Sequence, residues 1–246
     1  MSLPVHLVET LAGVAAGDTV AVTGDEAHHA VAVRRLRVGE RVRLTDGVGS
    51  VAVGAVAATG KRLLEVTVES VDVLPRLVPA VTVVQALPKG ERGELAVEVL
   101  TEVGVDRIVP WAASRSVAVW KGERAAKSLE RWRSTAREAA KQSRRPWFPE
   151  VTALAALPDA VSWVADADLA LVLHEEAAEP LVALDVTPAR SVVVVVGPEG
   201  GLTADEVAAF TAAGAHAVRL GPEVLRTSTA GLAAVAAVLS RTGRWG

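Results

Sequence analysis

The pattern of hydrophobic and polar positions divides the chain into two regions of different periodicity. Short segments of alternating polarity, bounded by glycine and aspartate, occupy residues 19–22, 41–45, 48–57 and 63–71. This alternation predicts a small β-rich domain over residues 1–72, with one helix near 25–34. Residues 73–79 contain two prolines and no clear period, which indicates a linker.

From residue 80 onward, the pattern changes to strands that alternate with helices. Mostly apolar segments predict strands at 80–87, 107–109, 169–173, 191–196 and 216–220. Helical spacing and capping residues predict helices at 91–103, 122–143, 205–213 and 227–240. Because this alternation is typical of a parallel sheet covered by helices, we expect an α/β domain over residues 80–246.

A glycine-rich loop follows the most uniformly apolar strand. Five valines end at Val196, and the next residues are Gly197, Pro198, Glu199, Gly200 and Gly201. Thr203 and Glu206 then have the spacing of a helix capping box. Since open α/β folds bind ligands at the carboxyl ends of strands, the loop predicts half of a pocket, although a plain tight turn is equally consistent with the glycines. The loop matches neither the dinucleotide nor the P-loop fingerprint, which favours a ligand held by something other than phosphate.

A second loop repeats this arrangement near residue 220. A Gly-Pro turn ends the strand, and three hydroxyl residues, Thr227, Ser228 and Thr229, open the next helix. Two neighbouring loops of this kind could hold a flat or folded ligand between their backbones. The helix over 230–240 carries no charge and must be buried, either in the core of the domain or in a subunit interface.

The composition is typical of a folded protein from a reducing compartment. Of the 246 residues 50% are hydrophobic, and no cysteine is present to form a disulfide, a thiolate metal site or a nucleophile. Residues 1–6 lack a secretory signal pattern, and the apolar runs are shorter than the roughly 20 residues of a membrane span. We therefore expect a cytoplasmic protein. Five scattered histidines predict no metal site.

The net charge of −3 is distributed unevenly along the chain. Ten basic and three acidic residues lie between positions 115 and 145, whereas eleven acidic and five basic residues follow from position 151. Because a solvated helix face normally mixes both signs, a basic segment in an otherwise acidic chain favours a nucleic acid partner.

An ordered set of motifs runs through both regions. In chain order these are His28-His29, residues 33–39, Ala86-Leu87-Pro88-Lys89-Gly90, Thr101-Glu102-Val103-Gly104, Arg115-Ser116-Val117, residues 138–145, the loop at 197–201 and residues 220–230. With these motifs the chain resembles, over nearly its whole length, the bacterial 16S rRNA uridine-N3 methyltransferases of the SPOUT class. One departure is Ser228, where many relatives carry a carboxylate, so a catalytic base at that position is doubtful here.

The resemblance implies a SPOUT-type parallel sheet with a C-terminal trefoil knot, preceded by a small PUA-like β-barrel domain. It also implies S-adenosylmethionine as the cofactor, 16S rRNA of the small ribosomal subunit as the substrate, and a homodimer. The residues that it places at the cofactor are Leu173, His174, Gly197, Pro198, Glu199, Gly200, Gly201, Leu220, Gly221, Pro222, Val224, Leu225, Thr227, Thr229 and Ala230.

The implied chemistry suggests roles for a few further residues. Methylation at N3 of uridine requires loss of the imino proton, so negative charge develops on the uracil. A cation beside the cofactor loop would stabilise that charge, which makes Arg226 the candidate catalytic residue; alternatively, Arg226 pairs with Glu199 or Glu223. Glu199 is the second catalytic candidate, although it could instead bind the cofactor, and no base is assigned. The candidate RNA contacts are Arg34, Arg35, Arg37, Lys89, Arg115, Arg144 and Arg145, and Trp147 could stack on an exposed base.

The predicted function is methylation of N3 of a specific uridine in 16S rRNA with S-adenosylmethionine as methyl donor. The alternative is a non-catalytic RNA-binding protein of ribosome assembly that retains the fold and has no affinity for the cofactor. A nucleotide-dependent oxidoreductase is disfavoured because the dinucleotide fingerprint is absent.

Overall fold

The computed structural model describes residues 3–245, which form two compact units. The first unit extends to residue 76 and includes residues 140–148, and the second contains residues 77–139 and 149–245. Residues 140–148 thus belong to the first unit, although the sequence pattern places them within 80–246. Met1, Ser2 and Gly246, at the ends of the predicted domains, lie outside the described residues.

The first unit is built on a five-stranded sheet with the order β1-β3-β4-β5-β2. Its strands are β1 (Val5–Leu7), β2 (Thr19–Thr23), β3 (Arg41–Thr45), β4 (Ser50–Gly60) and β5 (Leu63–Val73). Neighbouring strands are antiparallel, except that β1 is parallel to β3. Helix α1 (Gly24–His28) continues into a π-helical turn at His29–Val33, where the sequence predicts a helix. The three residues of β1 are too few to show a period, so the sequence pattern missed this strand.

Trp147 fastens residues 140–148 within the first unit. Its indole N–H donates a hydrogen bond to the backbone carbonyl of Leu74 over 2.8 Å, and the guanidinium of Arg76 lies 4.1 Å from its ring centroid. Gly49, with a φ of +107°, lies so close to the ring that any side chain there would overlap it. Trp147 therefore has a packing role in this unit that the sequence did not predict.

A second contact within this unit joins Glu26 to Lys141 and His6. One carboxylate oxygen of Glu26 lies 2.7 Å from Lys141 Nζ, and the other lies 3.2 Å from Nδ1 of the buried His6. Burial raises the pKa of Glu26, but the hydrogen bonds to His6 and Lys141 and the charge of Lys141 outweigh burial and lower it to about 2.

We expect the first unit to lose stability as the pH falls from about 5 to about 2. The folded-state pKa of Glu26 lies below its ordinary value of 4.5, so the ionised carboxylate stabilises the fold above that value and its contribution is lost as the pH falls towards 2. The loss amounts to about 2–3 kcal/mol. Glu26→Gln should remove this pH dependence. Glu69→Gln, which breaks an exposed ion pair with Arg41, should retain it.

Hydrogen exchange of the amides in β2 to β5, corrected for the intrinsic effect of pH, measures this stability in the full chain. If the stability of Glu26→Gln depended on pH as strongly as that of the wild type, Glu26 would not be the source of the pH dependence.

The second unit contains a seven-stranded sheet in which every neighbouring pair is parallel, with the order β10-β12-β9-β11-β6-β7-β8. Its strands are β6 (Ala80–Ala86), β7 (Arg107–Trp111), β8 (Glu150–Val151), β9 (Leu169–Leu173), β10 (Glu179–Pro180), β11 (Ser191–Val196) and β12 (His216–Arg219). Its helices are α2 (Arg92–Val103), α4 (Leu157–Ala165), α5 (Ala204–Ala212), α6 (Thr227–Leu239) and all but the last three residues of α3 (Glu123–Gln142). The predicted α/β class is confirmed, and β8, β10 and α4 are additions to the predicted elements.

Helix α6 packs one face into the core of its own unit. A Cβ atom at Gly231 would lie 3.1 Å from Leu100 Cδ2 and 3.3 Å from Val196 Cγ2, so any larger residue would force these side chains to shift as α6 packs on α2 and β11. Val238 and Leu239 on the same helix are fully buried. Core burial therefore accounts for this face of the uncharged helix, while the trefoil knot and the homodimer stay predictions.

Candidate functional site

A cavity of about 290 Å³ lies at the carboxyl ends of three neighbouring strands, β12, β9 and β11. The two loops that the sequence singles out form much of its wall, because parallel strands bring the segments that follow them to one edge of the sheet. The predicted residues that line it are Leu173, His174, Gly197, Pro198, Glu199, Gly201, Leu220, Gly221, Val224, Leu225, Arg226, Thr227 and Ala230. Three further predicted residues, Gly200, Pro222 and Thr229, belong to the same loops but do not line the cavity.

The glycines of the loop at 197–201 leave little room for a side chain, because the loop packs closely on its own neighbours. A Cβ atom at Gly197 would lie 3.0 Å from Leu202 Cγ, and one at Gly200 would lie 3.0 Å from Arg115 Cβ. Gly201 has a φ of +72°, a conformation that other residues rarely adopt. The sequence predicts glycine here for the approach of a ligand, and the structure adds that these glycines let the loop fold against its neighbours.

Arg115 supports this loop from the segment that follows β7. Its guanidinium donates hydrogen bonds to the backbone carbonyls of Gly200, over 3.2 Å, and Leu202, over 3.4 Å. This use of the side chain differs from the phosphate contact that the sequence predicts.

Glu206 makes a second connection to the same segment. Its carboxylate accepts hydrogen bonds from the backbone N–H groups of Ser114, over 2.7 Å, and Thr203, over 2.8 Å. Burial raises the pKa of Glu206, but these hydrogen bonds outweigh burial and lower it. The Thr203 hydroxyl accepts in turn from the Glu206 N–H over 3.2 Å, which confirms the predicted capping box at the start of α5.

The two catalytic candidates line the cavity at different points. Arg226 is the N-cap residue of α6, and within residues 3–245 its guanidinium has no hydrogen bond and no ion pair, so it is not paired with Glu199 or Glu223. Glu199 accepts a hydrogen bond from the backbone N–H of Lys89 over 3.1 Å through one carboxylate oxygen. Glu199 thereby ties the glycine-rich loop to the turn before α2.

Sequence reasoning missed seven residues that line the cavity. They are Arg92, Glu175, Val196, Leu202, Val218, Arg219 and Glu223. Six of these are close neighbours of predicted residues and could have been found by extending the two loops and strand ends. Arg92, about a hundred residues earlier in the chain, carries no local signal that would place it here.

The remaining candidate RNA contacts lie mainly in the first unit. Arg34, Arg35, Arg37 and Arg144 are exposed there, and Lys89 is exposed in the second unit. Arg145 is partly buried and donates a hydrogen bond to the carbonyl of Trp147 over 3.0 Å. Within the described part of the chain, no cluster of potential ligands is placed to bind a metal ion, and no helix is both long and apolar enough to cross a membrane.

Comparison with known proteins defines the class of this fold and site. A family model for an RNA methyltransferase domain matches residues 76–239, and a model for an RNA methyltransferase PUA domain matches residues 22–69. The class is therefore an RNA methyltransferase with an N-terminal PUA domain.

Individual relatives narrow the class further. Ribosomal RNA small subunit methyltransferase E of Mycobacterium tuberculosis is 49% identical over 93% of this chain and 89% of its own length. The protein of the same name from Bacillus subtilis is 31% identical over 91% of each chain. The fold is also similar to the crystal structure of a ribosomal RNA small subunit methyltransferase E from Neisseria gonorrhoeae bound to S-adenosyl methionine. The TM-score is 0.86 and the sequence identity 28%, over 97% of this chain and 98% of that one. The present chain belongs to the ribosomal RNA small subunit methyltransferase E family.

Proposed function

We propose that this protein transfers a methyl group from S-adenosylmethionine to N3 of a specific uridine in the 16S rRNA of the small ribosomal subunit. The observation that carries the proposal is the cavity at the carboxyl ends of β9, β11 and β12, with the unpaired Arg226 in its wall. The family supports rRNA of the small subunit as the substrate and S-adenosylmethionine as the methyl donor. The choice of uridine N3 rests on the resemblance of the motifs.

The residues of the cavity fit the chemistry of S-adenosylmethionine. This molecule has a flat base, a sulfonium cation and an amino-acid end, and it has no phosphate. Leu173, Ala230 and the backbone of Gly197 provide a mixed apolar and hydrogen-bonding wall, and the carboxylates of Glu175 and Glu223 suit positive groups. The volume of about 290 Å³ is just below the range of about 300–1,000 Å³ for small-molecule sites. We propose that the loops at 197–201 and 220–230 hold the cofactor.

The proposed reaction needs a methyl donor, a positioned uracil and stabilisation of negative charge. Bound S-adenosylmethionine would supply the methyl group: the N3–carbon bond forms, the sulfur–carbon bond breaks with its electron pair left on sulfur, and the N3 proton passes to water or to a nearby acceptor. Arg226 is proposed to contact a uracil carbonyl and to stabilise the charge that develops as N3 is deprotonated. The walls of the cavity align the reacting atoms. Ser228 is buried and does not line the cavity, which argues against a base at that position.

The proposal includes a cytoplasmic homodimer that binds rRNA through exposed basic residues. Val224 and Leu225 in the second loop are 76% and 40% exposed, and a second copy of the chain would cover such apolar side chains. Arg34, Arg35, Arg37 and Arg144 are the proposed phosphate contacts of the first unit. Light scattering that gives the mass of one chain, 25.5 kDa, would contradict the homodimer.

Mass analysis of 16S rRNA tests the reaction directly. Naked rRNA and assembled small subunits from a strain without this protein are incubated with the purified protein, with and without S-adenosylmethionine. We expect one new 3-methyluridine that depends on the cofactor. Methylation of another nucleotide would contradict the assignment of uridine N3. Binding of rRNA without binding of the cofactor would favour the non-catalytic alternative.

A further inference from the structure

Arg92 reaches the cavity from a part of the chain that the two loops do not include. We propose that its guanidinium binds a backbone phosphate of the RNA beside the nucleotide that enters the cavity. This inference rests on the proposed function, and it adds a contact that holds the substrate rather than the cofactor.

Arg92 is free to bind a ligand, unlike another arginine of the cavity wall. Arg219 donates hydrogen bonds to the backbone carbonyls of Ala177 and Ala178 over 2.9 and 2.8 Å, so its guanidinium is held by the protein. Arg92 is exposed and, within residues 3–245, its guanidinium has neither a hydrogen bond nor an ion pair. Its charge is therefore available in a cavity that already contains the proposed site of methyl transfer.

The two residues after Arg92 fix the start of α2. A Cβ atom at Gly93 would lie 2.9 Å from Trp132 Nε1, so the backbone of α2 packs directly on this ring. The Glu94 carboxylate lies 3.2 Å from a guanidinium nitrogen of Arg131. Both neighbours are thus engaged with α3, whereas Arg92 lines the cavity. These contacts hold the first turn of α2 in place, so the backbone position of Arg92 is fixed.

The stability of the fold does not explain an arginine at this position. Arg92 is the first residue of α2, and a positive charge in the first turn of a helix is opposed by the helix dipole. An exposed arginine without a partner forms no ion pair that would offset the unfavourable interaction of its charge with the helix dipole. A bound ligand with negative charge would offset that interaction.

The order of the strands favours RNA over the cofactor as the source of that negative charge. The loops proposed to hold the cofactor follow β11 and β12, whereas Arg92 follows β6, which adjoins β11 on the side away from β9 and β12. The turn between β6 and α2 is held against the glycine-rich loop by the hydrogen bond from the Lys89 N–H to Glu199. Arg92 thus borders the cofactor loops at one flank. An RNA nucleotide that enters the cavity brings a backbone phosphate with it. A guanidinium binds phosphate oxygens through paired hydrogen bonds.

Replacement of Arg92 by alanine tests this contact. We expect the KM for the small-subunit rRNA to rise by about tenfold and the slope of log affinity against log salt to fall by about 0.7–0.9, the value for one phosphate contact. The Kd for S-adenosylmethionine should stay within about twofold, because the cofactor loops are unchanged. Arg92→Lys should restore part of the RNA affinity, since it retains the charge, and Arg92→Gln should not.

The matched control is Arg190→Ala. Arg190 is also an exposed arginine of the second unit, but it precedes β11 and so lies at the opposite edge of the sheet from the cavity. This variant should match the wild type in KM, in salt dependence and in cofactor affinity.

Two results would overturn the inference. A weaker Kd for S-adenosylmethionine with an unchanged KM for RNA would assign Arg92 to the carboxylate of the cofactor. An unchanged salt slope in Arg92→Ala would remove the phosphate contact. The salt dependence is measured by RNA binding without methyl transfer, so it tests Arg92 even if the proposed reaction fails.

Discussion

Arg226→Ala is expected to lower the rate of methyl transfer by about 10²–10³-fold, the usual cost of removing one group that stabilises a developing negative charge. The guanidinium of Arg226 lines the cavity and has no partner within residues 3–245, so it is available to a uracil carbonyl. Affinity for S-adenosylmethionine should stay within about threefold, because the first turn of α6 is held independently by the hydrogen bond from Gln85 to the Thr227 carbonyl, 3.2 Å long. The loss of rate should shrink as the pH rises, since hydroxide then removes more of the N3 proton.

Single-turnover methylation of small subunits at several pH values measures the rate of methyl transfer, and calorimetric titration measures the affinity for the cofactor. Arg226→Lys should retain part of the rate because it keeps the charge, and Arg190→Ala again serves as the control far from the cavity. A rate equal to that of the wild type would remove Arg226 from the mechanism. A parallel loss of cofactor affinity would instead assign Arg226 to cofactor binding.

Arg244→Ala is expected to destabilise the second unit by about 3–5 kcal/mol, the cost of removing one member of a buried ion pair. The Arg244 side chain is only 4% exposed and lies 2.6 Å from the Asp106 carboxylate, which is 13% exposed. The guanidinium also donates to the carbonyls of Pro79, over 2.6 Å, and Gly104. One side chain near the end of the chain thus connects the start of β6 to the turn before β7.

Hydrogen exchange of the β6 and β7 amides measures the free energy of unfolding of this unit. Arg131→Ala is the matched control, because it breaks an ion pair with Glu94 in which Arg131 is 69% exposed, and it should cost at most about 1 kcal/mol. Adding Asp106→Asn to Arg244→Ala should recover part of the loss, since it removes the carboxylate charge that the Arg244 guanidinium no longer balances. Equal stabilities of Arg244→Ala and Arg131→Ala would contradict the role of the buried pair.

The sequence predicts much of the fold because the main elements have strong local signals. The five valines of β11 and the capping box at Thr203 and Glu206 are recognisable from neighbouring residues alone. The strands β8 and β10 have two residues each, too few for any period to appear. Helix α4 does have a local signal in Pro158 and Asp159 of its first turn, where the Asp159 carboxylate accepts a hydrogen bond from the Ala156 N–H.

The residues of the candidate site also include some that the sequence predicts and some that only the structure reveals. The two loops were found because each has a glycine turn directly after a predicted strand and a hydroxyl residue at the start of the next helix, and strand ends of a parallel sheet meet at one edge. Arg92 was not found, since its place in the cavity depends on how α2 packs against Trp132 rather than on any residue near it in sequence. Arg115 was assigned to RNA by its charge, and its hydrogen bonds to Gly200 and Leu202 became evident only in three dimensions.

The sequence by itself therefore determined the α/β class, the order of the longer elements, the family and the two loops that form much of the cavity wall, because periodicity, capping and motif spacing are properties of neighbouring residues. Only the tertiary structure decided that Trp147 packs in the first unit, that Arg92 shares a cavity with Arg226, and that Arg244 is buried against Asp106. Such contacts join residues far apart along the chain, and a side chain's partner at that separation is set by the packing of whole helices and sheets.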